Sequence, residues 1–359
     1  MTENLILAIN PGSTSTKIAV FNNTKEVFLK NIKHSSEELA EFKQITDQYS
    51  FRKEIILNEL KSASFDIRQI KVIVGRGGLV KPIASGVYNV NDHLAEDLKI
   101  GVMGQHASNL GGLIARDIAG TIPDAKAYIA DPVVVDELED IARVSGHPEF
   151  ERVSIFHALN QKAIARQHAK SATDKKYEEL NLIVAHLGGG ISVGAHCKGR
   201  VIDVNQALDG EGPFSPERTG TLPVGALAKL CFSGKYTLEE IKKMITGKGG
   251  LVAYLGTNDA YAVEKRAHAG DEQAALVQSA MAYQVAKEIG AMGTVLKGEV
   301  DAILLTGGIA YGKPFTSAVS ERVRHIAPVY VYPGEDEMRA LAMNGLMVLN
   351  GETEAKDYS

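Results

Sequence analysis

Cysteine is scarce: Cys197 and Cys231 are the only two in 359 residues, far apart and outside any CxxC spacing. That excludes a disulfide scaffold and a four-cysteine zinc site, and it leads us to expect a reducing, cytoplasmic setting. Long apolar runs are missing too, since none approaches the ~20 residues needed to cross a bilayer. Met1 leads straight into the apolar segment Leu5 to Ile9 without a basic flank, so neither export nor a membrane span is expected. The 39 basic and 44 acidic residues are interspersed and leave a net charge of -5. No basic stripe is set up for nucleic acid or a membrane surface. A small anionic ligand would therefore have to be met by local cationic groups. No G-x-G-x-x-G element occurs, which removes the dinucleotide-binding fingerprint.

What is present suits a large two-lobed globular protein, because 45% hydrophobic residues over this length can fill two cores of ordinary domain size. Leu5 to Ile9 is an apolar run that ends in Asn10-Pro11-Gly12-Ser13-Thr14-Ser15-Thr16-Lys17, and a second run follows at Ile18 to Phe21. We read this as a strand, a polar turn and a returning strand. The same order recurs half a chain later at Leu182 to Ala195, around His186-Leu187-Gly188-Gly189-Gly190. A duplicated lobe accounts for the recurrence. Further strand-like runs at Lys71 to Gly75, Ala127 to Ala130 and Ala302 to Thr306 alternate with helical stretches, which is α/β grammar. The clearest helix is expected from about Asp271 to Leu296, with Val277, Met281, Val285, Ile289, Met292 and Leu296 along one face. The polar end, Asn350 to Ser359, is expected to fray.

Three glycine-bearing turns follow apolar strands, at Asn10 to Lys17, His186 to Gly190 and Thr306 to Gly308. Turns of this kind bind phosphate because backbone N–H groups can approach the oxygens and Ser or Thr hydroxyls add donors. Any single one is equally an ordinary strand end, but three in a duplicated frame point to a nucleotide cleft between lobes. The stretch Gly307 to Lys313 matches the first seven positions of a P-loop, yet Pro314 stands where Ser or Thr would meet magnesium. Pro also lacks the amide that the phosphate cradle uses. A P-loop ATPase is thereby excluded.

Taken together, Asn10 to Lys17, Gly75-Arg76-Gly77-Gly78, Asp131-Pro132, Phe156-His157-Ala158, His186 to Gly190, Glu217-Arg218-Thr219-Gly220 and Thr306-Gly307-Gly308-Ile309 resemble, in order over nearly the whole chain, the motifs of the acetate kinase family. The opening turn is most similar to the butyrate kinase branch. The resemblance implies an α/β fold of two related lobes of the ribonuclease H-like type, shared by acetate kinase, sugar kinases, actin and the Hsp70 ATPase. It brings a duplicated core and an interlobe ATP cleft. The expected division is a 1–155 lobe on the carboxylate and phosphoryl side and a 156–359 lobe on the nucleotide side, with the C-terminal helix able to pack back on the first lobe.

The same resemblance implies the site. Arg76 and Arg218 correspond to the family's two active-site arginines, and a permanent, forked cation suits a reaction that brings two anions together. His157 corresponds to a histidine that hydrogen-bonds the phosphoryl group in transfer, and it stands at the start of a helix-like run. His106 corresponds to a second histidine near the substrate. Asp131 could hold magnesium through water, orient Arg76, or cap a helix before Asp136 and Glu137. Asn10 would position Mg²⁺ or a phosphate oxygen, whereas Lys17 either closes the same turn or ends a strand in solvent. Ser13, His186, Gly188, Gly189, Gly190, Gly307, Gly308 and Ile309 would face ATP or ADP. The acidic element Pro333 to Met338 would complete the metal site; Asp336 falls where the family has Glu, so Asp336 and Glu337 compete for the role, with Glu335 beside them. The implied partners are a short-chain carboxylate and its acyl phosphate, within a homodimer or higher homo-oligomer. An acetate or propionate kinase, or an ATPase switch of the actin type, stays open at this point.

Overall fold

The computed structural model describes residues 4–359; Met1, read above as the direct lead-in to the first strand, lies outside them. The chain forms two compact units, residues Met1–Val135 with Asp336–Ser359, and Asp136–Glu335.

In the first unit six strands form one sheet: β1 (Leu5–Pro11), β2 (Ser15–Asn22), β3 (Lys25–Lys33), β4 (Ile70–Arg76), β5 (Val87–Asn89) and β6 (Lys126–Ala130), in the order β3-β2-β1-β4-β6-β5. β1 runs antiparallel to β2 and parallel to β4, and β4 runs parallel to β6. In the second unit β7 (Asn181–Leu187), β8 (Ile191–Cys197), β9 (Arg200–Val204), β10 (Ala302–Gly307) and β11 (Val329–Pro333) take the order β11-β10-β7-β8-β9. There β7 is antiparallel to β8 and parallel to β10. Both sheets therefore share an antiparallel three-strand meander whose first strand carries parallel strands on its other side. The duplication expected from the recurring motif is present as topology.

β7 is buried at every position, as expected for a central strand covered on both faces. One face of this sheet packs on the Glu272–Val295 helix, which buries Val277, Met281, Val285, Ile289 and Met292. Asp271 caps its N-terminus by accepting from the Ala274 amide, and Leu296 is its C-cap. The periodicity thus located this helix to within a residue. In the first unit the Asn109–Gly120 helix covers one face of the sheet, and the Glu337–Leu349 helix packs on β1 and β4.

Two local expectations are corrected. The first turn is shorter than Asn10 to Lys17, because the β1–β2 ladder continues through Asn10↔Lys17 and Pro11↔Thr16. Only Gly12, Ser13 and Thr14 are left outside the strands. Polar side chains did not end the ladder, because strand pairing is made by the backbone. The C-terminal segment is also not frayed. Lys356 exchanges backbone hydrogen bonds with Val87 and Asn89, and Tyr358 is 3% exposed. The Tyr358 hydroxyl donates to the Asp97 carboxylate at 2.5 Å, and Asn91 Nδ2 donates to the Tyr358 carbonyl at 2.8 Å. One buried aromatic anchor and a borrowed strand edge outweigh the polar composition.

A hydrogen bond to a charged group is worth about 1.5–3 kcal/mol. Tyr358→Phe should accordingly lower the stability of this unit by about 1.5 kcal/mol in equilibrium urea unfolding. A wild-type midpoint would show that the Tyr358 hydroxyl contributes nothing to holding the C-terminal strap.

Candidate functional site

In the first unit Asn10 ends β1, Arg76 ends the adjacent parallel strand β4, and Glu337 opens the Glu337–Leu349 helix that lies on both. The three side chains meet. Arg76 holds the Glu337 carboxylate through both guanidinium nitrogens, Nη2 to Oε1 at 3.1 Å and Nη1 to Oε2 at 3.2 Å. Asn10 accepts from Arg76 Nη1 at 3.3 Å and donates its amide to Glu337 Oε2. Arg76 and Glu337 keep 27% and 19% of their side-chain surface open. The cluster is fixed from beneath and still reachable.

The acidic element that competed for the metal role is divided by the fold. Glu337 joins Asn10 and Arg76, whereas Asp336 caps its helix by accepting from the Arg339 amide at 3.0 Å. Glu335 lies in the other unit, 3.2 Å from His186 Nε2. Among the described residues no group of three or more His, Cys, Asp and Glu side chains forms a ready metal cluster.

Asp131 follows β6 in a left-handed backbone conformation, φ +36°, and is 1% exposed. Its Oδ1 accepts from Ser85 Oγ at 2.6 Å and from the Gly86 amide at 2.9 Å. It caps no helix, because the residues after Pro132 form turns and not a helix. That alternative is overturned. His106 precedes the Asn109–Gly120 helix and accepts the Ser108 amide at Nδ1, 3.2 Å, with Ser108 Oγ 2.8 Å from the same nitrogen. Its ring edge is exposed, but crowding by the surrounding protein, and then the Arg76 charge, hold its pKa below the ordinary histidine value. Its proton therefore sits on Nε2 at neutral pH.

Of the remaining candidates in this unit, Ser13 is exposed, and Lys17 is partly exposed with no ion-pair partner among the described residues. What shapes their turn is a residue that sequence reading missed. Arg52 is fully buried and directs Nη1 to the Ser15 carbonyl at 2.9 Å and to Thr16 Oγ1 at 3.0 Å, and Nη2 to the Ser13 carbonyl at 3.3 Å. Gln48 Oε1 accepts from both its Nε and Nη2. Burial pushes the Arg52 pKa down to about 10. Gathering the turn's carbonyls inward leaves an inward cation beneath Gly12 to Thr14, which favours an anion outside.

The second unit gathers the other candidates. His157 is the N-cap residue of the Ala158–Ala172 helix. Its ring stacks on His186 with centroids 3.8 Å apart and planes 11° from parallel. His186 is anchored in turn by Asn160 Oδ1 at 2.7 Å. Gly188, Gly189 and Gly190 make the β7–β8 turn, which is closed by Ser215 Oγ donating to the Gly189 carbonyl at 2.6 Å. Gly190 is required by a close approach: a Cβ there would lie 1.9 Å from Arg218 Nη1. Arg218 thus packs against the turn and donates Nη1 to the Ala207 carbonyl. Burial lowers its pKa and Glu217 opposes that shift, but an arginine stays charged at neutral pH.

Gly307, at φ +92°, ends β10 where a Cβ would strike the Leu187 carbonyl at 2.4 Å. The turn it makes opens Gly308 and Ile309 onto a cavity of about 530 Å³, which Gly188, Gly189, Gly312 and Glu335 also line. Asn258, Tyr261, Gln278 and Phe315 complete its walls. None of these four stood out in the sequence, because each lies on a helix or loop whose only signal is ordinary amphipathicity. Pro314 sits in the first turn of the Lys313–Val323 helix, a normal proline position.

No helix among the described residues is long and apolar enough to cross a membrane. Replacing Arg52 by Met would strand the carbonyls and hydroxyl it serves, each costing about 1–3 kcal/mol when buried without a donor. Arg52→Met should therefore lose at least about 3 kcal/mol in chemical denaturation, with Arg52→Lys recovering part. Equal stability of Arg52→Met and wild type would remove Arg52 from the support of the turn.

A family model described as the acetokinase family matches residues 152–332. Butyrate kinase 2 and butyrate kinase 1 of Clostridium acetobutylicum are 60% and 58% identical over 353 residues, covering 98% of this chain and 99% of each relative. The crystal structure of acetate kinase from Porphyromonas gingivalis superposes with a TM-score of 0.75 at 18% identity, over 96% of this chain and all of that one. The two-lobed fold is that of the acetate kinases, and with identity this high along nearly its whole length the chain belongs to the acetokinase family.

Proposed function

We propose that this protein is a butyrate kinase, which transfers the γ-phosphoryl group of ATP reversibly to butyrate, or a related short-chain carboxylate, to give the acyl phosphate and ADP. The observation that carries this reading is the pair of arginines, Arg76 and Arg218, each held rigidly by a fixed acceptor in a chain so similar to butyrate kinases. Two anions repel as they approach, and preset guanidinium forks offset that repulsion without reorganising during the reaction.

In this reading the first unit serves the carboxylate and the second the nucleotide. The acceptor, with a carboxyl pKa near ~4.3, is already ionised at neutral pH and needs no general base. Arg76, with His106 as a neutral N–H donor, orients its oxygens. Asp131 keeps the Ser85–Gly86 backbone in place at the end of β6. On the nucleotide side the 530 Å³ cavity takes the adenosine portion. The turns at Gly12 to Thr14, Gly188 to Gly190 and Gly307 to Ile309 offer amides, with the Ser13 hydroxyl and the Lys17 ammonium, to the phosphates. Arg218 and His157 stabilise the phosphoryl group in transfer, and catalysis is mostly positioning and charge neutralisation.

The oxygen donors Asn10 and Glu337 suit Mg²⁺, which takes few protein ligands and several phosphate and water oxygens. Bound there, Mg²⁺ would supply neutralisation of phosphate charge. Asp336, used as a helix cap, is the weaker candidate.

Incubating the purified protein with ATP, Mg²⁺ and C2 to C5 acids, and trapping acyl phosphate with hydroxylamine, should give the highest yield with C4 acids. ATP hydrolysis independent of any acid would overturn the reading. Arg218→Ala should lose ~10³-fold or more in kcat while still binding ATP.

A homodimer in the cytoplasm completes the proposal. The Val224–Cys231 helix has no buried residue, and Val224, Phe232 and Leu238 are 79%, 93% and 63% exposed. An apolar surface of this kind is the sort that a second copy covers. Light scattering should give twice the chain mass for wild type and a monomer for Val224→Asp/Phe232→Asp. A monomeric wild type would refute the dimer.

A further inference from the structure

His157 can stabilise a phosphoryl group only if its outward ring nitrogen carries a proton, and a neutral imidazole can carry that proton on either nitrogen. The second unit contains a buried chain of side chains that bears on this choice, and none of its members was singled out by the sequence motifs. His157 Nδ1 lies 2.9 Å from Ser192 Oγ. Gln161 Nε2 donates to the same Ser192 Oγ at 2.8 Å and to the Ser192 carbonyl at 3.1 Å. Gln161 Oε1 lies 2.9 Å from His196 Nε2, and His196 Nδ1 lies 2.8 Å from the Tyr177 hydroxyl. Ser192, Gln161 and His196 are 0% exposed and Tyr177 is 3% exposed.

Two backbone groups set the direction of this chain, because they cannot change role. The Ser192 carbonyl only accepts, so the Gln161 nitrogen must face it and the Gln161 oxygen must face His196. The His157 backbone N–H only donates, and it points at Ser192 Oγ at 3.4 Å. Ser192 Oγ thus receives two donors and has a single proton of its own, which goes to His157 Nδ1. At the other end His196 must donate Nε2–H to Gln161 and accept the Tyr177 hydroxyl at Nδ1. Burial, and then the charges of Lys162 and Arg166, keep His196 neutral, which this pattern requires.

We propose that Tyr177, His196, Gln161 and Ser192 are positioning residues that hold His157 as the Nε2–H tautomer, ready to donate to the transferring phosphoryl group. The role rests on the kinase reading above, whereas the tautomer rests on the hydrogen-bond chain alone. The stack on His186 fixes the plane of the ring, and the chain fixes its proton. A wrong proton position would turn a donor into an acceptor facing phosphate oxygens.

The test is the ring ¹⁵N spectrum of His157, assigned by comparison with His157→Gln, in histidine-labelled protein without ATP or acid. Wild type should show the Nε2–H tautomer. Ser192→Ala should shift His157 toward a mixture of both tautomers and lower kcat for acyl phosphate formation about 10- to 100-fold, with the ATP Kd changed less than about 2-fold. Wild-type His157 protonated at Nδ1 would overturn the proposal. So would a Ser192→Ala protein with an unchanged His157 spectrum. If Ser192→Ala fails to fold, the wild-type spectrum still decides the tautomer, and Tyr177→Phe, which removes only the far hydroxyl, supplies the kinetic comparison. An inactive wild type that shows the Nε2–H tautomer would overturn the kinase reading and the positioning role with it, while leaving the hydrogen-bond chain standing.

Discussion

Cationic and imidazole groups can work on phosphate and carboxylate only if they are held still, and holding a charged side chain costs conformational entropy unless a rigid partner shares the work. Three of the candidate groups, Arg76, Arg218 and His157, have such a partner. Arg76 is gripped by a carboxylate at the start of the Glu337–Leu349 helix, Arg218 by the Ala207 carbonyl, and His157 by a ring stack and a serine hydroxyl. The rest of the architecture follows from that need. Two copies of one strand arrangement deliver the ends of β1, β4, β7 and β10 as fixed platforms, and helices packed on them supply the partners.

Buried polarity is spent in a consistent way. Arg52 lies fully buried and serves backbone carbonyls, an arrangement that would be costly unless each donor were used. The four side chains behind His157, from Tyr177 through His196 and Gln161 to Ser192, follow the same rule, in which each donor of the relay meets an acceptor and backbone groups fix the sense. Networks of that kind gain their value by being complete. Both lie directly behind a turn or ring proposed to face a ligand, so their shared effect is to turn flexible polar groups into preset ones.

Much of this was legible in one dimension. The recurrence of strand, glycine turn and strand at Leu5 and at Leu182 disclosed the duplicated sheet, and heptad-like spacing located the Glu272–Val295 helix to within a residue. Arg76, Arg218 and His157 were marked by the resemblance to the acetate kinase motifs, with glycine-rich contexts around the two arginines and a helix start at His157. The polar tail after Asn350 misled, because composition cannot reveal that Tyr358 finds Asp97 from the far end of the chain. The first turn was read as too long for a related reason, since backbone pairing is indifferent to the side chains of Asn10 and Lys17.

Sequence alone thus determined the fold class and the repeated frame, because periodicity and glycine placement are local properties of the chain. Tertiary structure alone decided which of three adjacent acids does what: Glu337 meets Arg76, Asp336 caps a helix, and Glu335 turns to His186. It also decided which buried side chains support the visible ones, as Arg52 and Gln161 do. Such assignments depend on distances between residues far apart in the chain, and no spacing rule along one strand or helix encodes those.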